Sequence, residues 1–223
     1  MGFLLRNVAT AMLCRKKTNI LHLVLHHKSS EDSMIKAIIF DCFGVLYPDT
    51  YWAMASEYLG TELDAHRSNL HDLVRQVDLG LITRDELWAR FADMVGKDKD
   101  EIYQRLKEFG GLDSRLLKFI EDHKVTHKIG MISNVGQGFI ERMFVDKPAT
   151  DYFDSIVLSS DVGLVKPDVR IYELSASQLG IEPAECVFID DLQKNVDGAI
   201  NAGMQAIKFD NYEKFIIDIK NII

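Results

Sequence analysis

Acidic, amide, hydroxyl and lysine side chains follow short apolar runs at four places along this sequence. They are Asp41, Ser133, Asn134, Lys166, Asp190, Asp191 and Asn195. A carboxylate can attack an electrophilic centre or bind a metal ion, and a hydroxyl and a lysine can stabilise an anion. Each residue alone is ordinary, since an aspartate after a strand is often only a helix cap. Their order along the chain is specific enough to indicate a site for chemistry.

Five short runs rich in Ile, Val and Phe are the elements that must position these side chains. They are predicted as strands at residues 35–40, 128–133, 154–158, 186–190 and 205–209. Helical spacing of apolar residues separates the last four runs, at 139–144, 168–179 and 192–202, and continues at 212–222. Strands that alternate with helices predict a doubly wound α/β fold with a parallel sheet. In such a sheet, ligands bind beyond the carboxyl ends of the strands, where the candidate residues lie.

The segment between the first two strands has a different pattern. Residues 49–122 show helical spacing throughout, and Thr83 with Glu86 forms a capping-box pattern that predicts the start of one helix there. We therefore expect a core formed by residues 34–48 and 123–223, with residues 49–122 inserted as a helical cap.

Residues 1–33 differ from the rest of the chain in charge. They carry five basic and two acidic residues, whereas the whole chain has 26 basic and 34 acidic residues. Three interpretations are open for this arm: a stretch upstream of a true start at Met34, a basic targeting segment for an organelle, or a short appended helix. We expect it to lie outside the core.

Composition excludes several classes of protein. A net charge of −8 gives no footprint for nucleic acid, and no apolar run reaches the roughly 20 residues of a membrane span. Three scattered cysteines suit neither a disulfide framework nor a four-ligand zinc site. We expect a cytoplasmic protein that binds neither nucleic acid nor membrane; its oligomeric state stays open.

The motifs resemble those of the haloacid dehalogenase superfamily. The opening strand with Asp41 is similar to the superfamily's first motif, and the insertion lies where its helical cap lies. The later motifs, with Lys166-Pro167-Asp168 and Asp190-Asp191, look most like the branch of sugar-phosphate phosphatases and the phosphatase domain of soluble epoxide hydrolases. This resemblance implies a hydrolase acting on a small phosphorylated substrate.

The resemblance also implies roles for individual residues. Asp41 would attack phosphorus and form an aspartyl phosphate, while Ser133, the Asn134 backbone N–H and Lys166 would bind the phosphoryl oxygens. Mg²⁺ would be held by the Asp41 and Asp191 carboxylates and the Phe43 backbone carbonyl, with Asp190 and Asn195 orienting these groups. Charge leads to the same metal, because three ionised aspartates would repel a phosphate unless Lys166 and a divalent cation neutralised them.

One position departs from the phosphatase pattern. Phosphatases of this superfamily carry a second aspartate two residues after the nucleophile, which protonates the leaving alcohol, and here that residue is Phe43. Dehalogenases of the superfamily have an aromatic residue there, so a 2-haloacid dehalogenase is an alternative function. They lack the acidic pair and work without Mg²⁺, so Asp190-Asp191 favours the phosphatase. A weakly active or purely ligand-binding protein is the third hypothesis.

Overall fold

The computed structural model describes residues 34–223, and in them the predicted α/β fold is present. Five parallel strands form one sheet in the order β3-β2-β1-β4-β5. The strands are β1 (Ala37–Phe40), β2 (Lys128–Ser133), β3 (Ser155–Leu158), β4 (Cys186–Asp190) and β5 (Gln205–Lys208). Each begins and ends within two residues of its predicted bounds. The arm at residues 1–33 and its expected separation from the core lie outside the described residues.

Strand β1 lies at the centre of the sheet because it is apolar on both faces. All four of its residues are buried, and it pairs with β2 on one side and β4 on the other. In this register Phe40 is opposite Met131 and Ile189. The residues that follow β1 and β4 therefore emerge next to each other at the carboxyl edge of the sheet.

Helices cover both faces of the sheet and form the insertion. In the described residues they are α1 (Thr50–Leu59), α2 (Leu63–Asp78), α3 (Arg84–Val95), α4 (Lys99–Leu106), α5 (Ser114–His123), α6 (Phe139–Met143), α7 (Ala149–Tyr152), α8 (Ser159–Val162), α9 (Val169–Leu179), α10 (Gln193–Asn201) and α11 (Tyr212–Ile219). Short 3-10 turns occupy Gly60–Glu62 and Pro183–Glu185. The predicted capping box is present: Thr83 accepts from the Glu86 N–H, and the Glu86 carboxylate accepts from the Thr83 N–H.

Two hydrophobic clusters flank the sheet, and a third lies within the insertion. The third, which we call the cap cluster, is formed by helices α1 to α4 around buried residues such as Tyr51, Trp88 and Phe91. Helix α5 belongs instead to a sheet cluster, where Phe119 contacts the rings of Phe40 and Phe215. Although residues 49–122 were expected to form one cap, the part beyond Phe109 therefore packs with the sheet.

The insertion is tied to the core at the end of α2. The Ser159 hydroxyl, at the start of α8, donates to the Asp78 carbonyl at 2.5 Å and accepts from the Val135 N–H at 2.9 Å. This bond places the last turn of α2 beside the carboxyl edge of the sheet. Among residues 34–223, no helix has the length and apolar character that crossing a bilayer requires.

Candidate active site

A buried lysine lies between two buried aspartates at the carboxyl edge of the sheet. The Lys166 ammonium is 2.7 Å from the Asp41 carboxylate and 2.7 Å from the Asp190 carboxylate. All three side chains are at most 7% exposed. Such a cluster is stable only when its charges are paired and hydrogen-bonded. The structure thus joins three residues that the sequence placed in separate motifs.

Asp190 uses both of its carboxylate oxygens for contacts within the protein. It accepts from the Leu192 N–H at 2.8 Å, from the Asn195 side-chain amide at 3.0 Å, and from Lys166. These bonds exist because β4 ends at Asp190 and α10 begins three residues later, so its first turn folds back over the carboxylate. Asp190 and Asn195 therefore hold Lys166 in place.

The Asn134 side chain clamps the backbone of Lys166. Its carbonyl oxygen accepts from the Lys166 N–H at 2.8 Å, and its amide donates to the Lys166 carbonyl at 3.1 Å. The sequence predicted a function only for the Asn134 backbone N–H. These two residues are 32 positions apart, and the sequence around neither of them indicates that they form hydrogen bonds with each other.

Three carboxylates at this edge are close enough to share a metal ion. One oxygen from each of Asp41, Asp190 and Asp191 lies within 4.8 Å of the other two. Gly44, in the left-handed region with φ +81°, leaves room for the third: a β-carbon on this glycine would lie 2.3 Å from the Asp191 Cγ. Oxygen donors of this kind are what Mg²⁺ prefers, so the residues fit that ion.

The electrostatics of the site favour added positive charge. Burial raises the pKa of Asp41 well above its usual range, with Lys166 acting in the opposite direction. Burial, together with the neighbouring Asp190 carboxylate, raises the pKa of Asp191 to about 6. Burial lowers the pKa of Lys166, but the two aspartates beside it outweigh this effect and raise it overall. The carboxylates therefore gain most from a cation that binds their ionised forms.

Two buried polar atoms beside the cluster lack a partner among the described residues. They are the Ser133 hydroxyl, at the end of β2, and the Asn195 side-chain oxygen. Ser133 is fully buried. Since buried polar groups are nearly always hydrogen-bonded, the Ser133 hydroxyl is available to a ligand oxygen.

A cavity of about 430 Å³ lies between this cluster and helices α1 to α3. Asp41, Asn134, Lys166, Asp191 and Asn195 form part of its lining. Phe43 also lines it, with its ring edge-on to that of Phe139 at 4.9 Å. An aromatic wall thus stands at the position where the phosphatase pattern has its second carboxylate.

Several lining residues were not found by sequence reasoning. They are Asp49, Thr50, His71, Arg84, Gln193 and Lys194. Asp49 accepts from the Tyr51 N–H and so also caps α1. Burial raises the pKa of Asp78 to about 7, with opposing contributions from Lys166 and Lys194. Asp78, the last residue of α2, also lines the cavity.

Comparisons with known proteins agree with this geometry. Residues 35–203 match the family described as haloacid dehalogenase-like hydrolase. Sesquiterpene phosphatase astK from Aspergillus oryzae is 25% identical over 84% of this chain and 96% of its own. D-ribitol-5-phosphate phosphatase from Bacteroides thetaiotaomicron is 24% identical over 80% of this chain and 93% of its own.

Solved structures show the same fold. The enzyme bt-2542 from Bacteroides thetaiotaomicron, in complex with magnesium and inorganic phosphate, superimposes with a TM-score of 0.65 at 21% identity. The match covers 81% of this chain and 98% of that enzyme. Because the family match spans most of the chain, including strands β1 to β4, the chain belongs to the haloacid dehalogenase-like hydrolases.

Proposed function

We propose that this hydrolase is a Mg²⁺-dependent phosphatase that acts on a small phosphorylated metabolite through an aspartyl phosphate on Asp41. The observation that carries the proposal is Lys166 held between Asp41 and Asp190, with Asp191 close enough to share a metal with both. The relatives' names support the reaction, since they include phosphatases of sesquiterpenes and of D-ribitol 5-phosphate.

Asp41 is the proposed nucleophile. Its carboxylate attacks phosphorus, a new phosphorus–oxygen bond forms, and the bond to the leaving alcohol breaks. Water then hydrolyses the aspartyl phosphate, which releases inorganic phosphate and restores the carboxylate. The Lys166 ammonium and the Cys42 N–H, at 2.7 and 2.6 Å from Asp41, hold the carboxylate in one orientation for attack.

The groups that bind the phosphoryl oxygens lie at the ends of β2 and of the loop before α9. In this proposal the Ser133 hydroxyl and Asn134 N–H donate to two of these oxygens, and Lys166 contributes its positive charge. The clamp from Asn134 to the Lys166 backbone keeps the two segments together. Mg²⁺ held by Asp41, Asp191 and the Phe43 carbonyl would neutralise charge on the phosphoryl group.

Phe43 defines how this phosphatase differs from its two-aspartate relatives. Without a carboxylate at this position, the leaving oxygen must accept its proton from another group or depart as a stable anion. General acid help is worth about 10² to 10⁴ in rate. Phe43 is also the observation that favours the alternative dehalogenase function, because a halide needs no proton to leave.

The test is a panel of phosphate monoesters and 2-chloroacids, assayed with and without Mg²⁺. We expect phosphate release that requires Mg²⁺, is abolished in Asp41→Asn, and persists in the matched surface variant Asp161→Asn. Mass spectrometry of quenched wild-type reactions should show one added phosphoryl group, absent from Asp41→Asn.

Other outcomes would support the alternatives. Metal-independent halide release would identify a dehalogenase, and binding without turnover would identify a ligand-binding protein. Phosphate release that survives Asp41→Asn would contradict the assigned nucleophile.

A further inference from the structure

Much of the cavity lining is hydrocarbon. Helices α1 to α3 contribute Trp52, Val74, Leu87 and Trp88, and the core contributes Phe43 and Phe139. The cap cluster lies behind these walls, where Trp88 packs against Tyr51 and Phe91 at ring-centroid distances of 5.7 and 5.6 Å. These walls therefore present a shaped apolar surface to whatever part of a substrate extends beyond the phosphate.

One polar group of this wall is engaged within the protein, and two others lie among its rings. The Tyr51 hydroxyl donates to the Leu70 carbonyl at 3.2 Å, so Tyr51 offers the cavity its ring and not its hydroxyl. The Trp88 indole nitrogen is buried without a partner among the described residues, so it can donate one hydrogen bond to a ligand. His71 lies over the Trp52 ring at 4.6 Å. A substrate with many hydroxyl groups would lose water against the carbon surfaces of Val74 and Leu87 and would pair only some of those hydroxyls.

Besides Asp41 and Asp191, the lining holds five charged residues, and four of them belong to the reaction end. Lys166, Lys194 and Asp49 all shift the pKa of Asp78, and Asp49 also raises that of Asp191, which places these groups together near the carboxylate cluster. Arg84 is the exception, and its guanidinium lies 4.6 Å above the Phe139 ring. A cation over an aromatic face still leaves a surface suited to flat, apolar groups.

We propose that the substrate is the phosphate monoester of an apolar or aromatic alcohol, with its hydrocarbon part between Trp52, Val74, Leu87 and Trp88. This inference rests on the proposed phosphatase function and narrows its substrate class. The volume of about 430 Å³ falls within the range of pockets that enclose small ligands. Aromatic alcohols also suit Phe43, because a phenolate leaves without protonation.

Binding can be measured without turnover because both tryptophans of the chain, Trp52 and Trp88, line this cavity. In Asp41→Asn, which lacks the nucleophile, tryptophan fluorescence and calorimetry would follow titrations with ethyl, butyl and hexyl phosphate, phenyl phosphate, glucose 6-phosphate and inorganic phosphate. About 0.8 kcal/mol per buried methylene predicts affinity rising about fourfold for each added carbon. Hexyl phosphate should bind at least tenfold more tightly than glucose 6-phosphate, which has the same number of carbons.

A matched pair of variants locates the binding surface. Val74 lines the cavity, whereas Val95 packs in the cap cluster away from it, and both are partly buried. Val74→Thr adds a hydroxyl without changing size, and we expect it to weaken hexyl phosphate about threefold to tenfold while inorganic phosphate binds unchanged. Val95→Thr should leave both affinities as they are.

The two proposals fail in different ways. Affinity independent of chain length, glucose 6-phosphate binding as tightly as hexyl phosphate, or equal effects of the two valine variants would overturn the apolar substrate class. Wild-type protein that binds hexyl and phenyl phosphate with the predicted preference but never releases phosphate would keep the apolar site and contradict the phosphatase. Efficient turnover of sugar phosphates alone would support the phosphatase and contradict the apolar substrate class.

Discussion

The replacement of Asp191 by asparagine is the most direct test of the metal assignment. Asp191 is one of three carboxylates with oxygens within 4.8 Å, and its side chain lies against Gly44, where space is limited. Asparagine has nearly the same shape, so we expect the fold to be retained. It removes the negative charge, and an amide oxygen binds Mg²⁺ less strongly than a carboxylate. We expect Mg²⁺ affinity to fall at least tenfold.

The size of the effect can be calculated for thermal unfolding. At a Mg²⁺ concentration 100 times the wild-type Kd, binding should stabilise the folded protein by about 2.7 kcal/mol. For a protein of this size that corresponds to a rise in Tm of about 5 to 11 °C. A tenfold weaker variant under the same conditions should gain only about 1.4 kcal/mol, or about 3 to 6 °C. Calorimetry can resolve the difference between these two shifts in Tm.

The metal-free proteins provide an internal check, because without Mg²⁺ the substitution should change stability in the opposite direction. Burial and Asp190 raise the pKa of Asp191 to about 6, so its contribution to stability is complete below about pH 4 and is lost as pH rises through about 6. Metal-free Asp191→Asn should therefore be at least as stable as wild type at pH 7.5, and less responsive to Mg²⁺. Asp161→Asn, at an exposed position, is the control. Equal Mg²⁺-induced shifts in Asp191→Asn and wild type would refute the assignment.

Four further predictions follow from the same structure. Phe43→Asp should narrow the rate advantage of aryl over alkyl phosphates, measured after thermal denaturation has confirmed folding; an unchanged ratio would mean that another group already protonates the leaving alcohol. Gly44→Ala should weaken calorimetric Mg²⁺ affinity at least tenfold, because its β-carbon would overlap the Asp191 carboxylate at a positive φ; wild-type affinity would contradict this crowding. Asp78→Asn should match wild-type stability near pH 4 and exceed it by about 4 kcal/mol at pH 8, because burial raises the pKa of Asp78 to about 7 and ionisation costs stability as pH rises; an equal difference in unfolding free energy between the two proteins at both pH values, measured in urea, would argue against it. A chain starting at Met34 should keep its Tm within about 2 °C, since the first strand begins at Ala37; a larger loss would show that residues 1–33 stabilise the rest.

The strands could be predicted because parallel-sheet interiors leave a strong local signal. Residues buried on both faces must be apolar, so β1, β2 and β4 appear in the sequence as uninterrupted runs ending in polar residues. The doubly wound topology then places those polar ends at one edge. The first strand begins at Ala37 and not at residue 35, although Ile35 is buried. An apolar, buried residue therefore does not by itself show where the hydrogen bonds between strands begin.

The partner of each helix could not be predicted from periodicity. Helix α5 has a well-defined apolar face, but nothing in its sequence states that Leu116 and Phe119 pack on the sheet and not on the other insertion helices. The same limit applies to the cavity, because apolar spacing in α3 does not distinguish a side chain in the cap cluster from one that faces the substrate. Leu87 and Trp88 contribute to both.

The charges of the site explain why an aromatic residue at position 43 is compatible with phosphatase chemistry. Asp41, Asp190 and Asp191 would carry three negative charges and Lys166 one positive charge, so a divalent cation brings the site close to neutrality before a phosphate dianion enters. A second aspartate at position 43 would add one more negative charge to that balance whenever it was ionised, and would act as the acid only when protonated. Phe43 removes that charge together with the acid, and it extends the hydrocarbon wall formed with Phe139. A leaving group that needs little protonation tolerates the missing acid, and one that prefers an apolar surface fits the hydrocarbon wall. Phenolates have both properties.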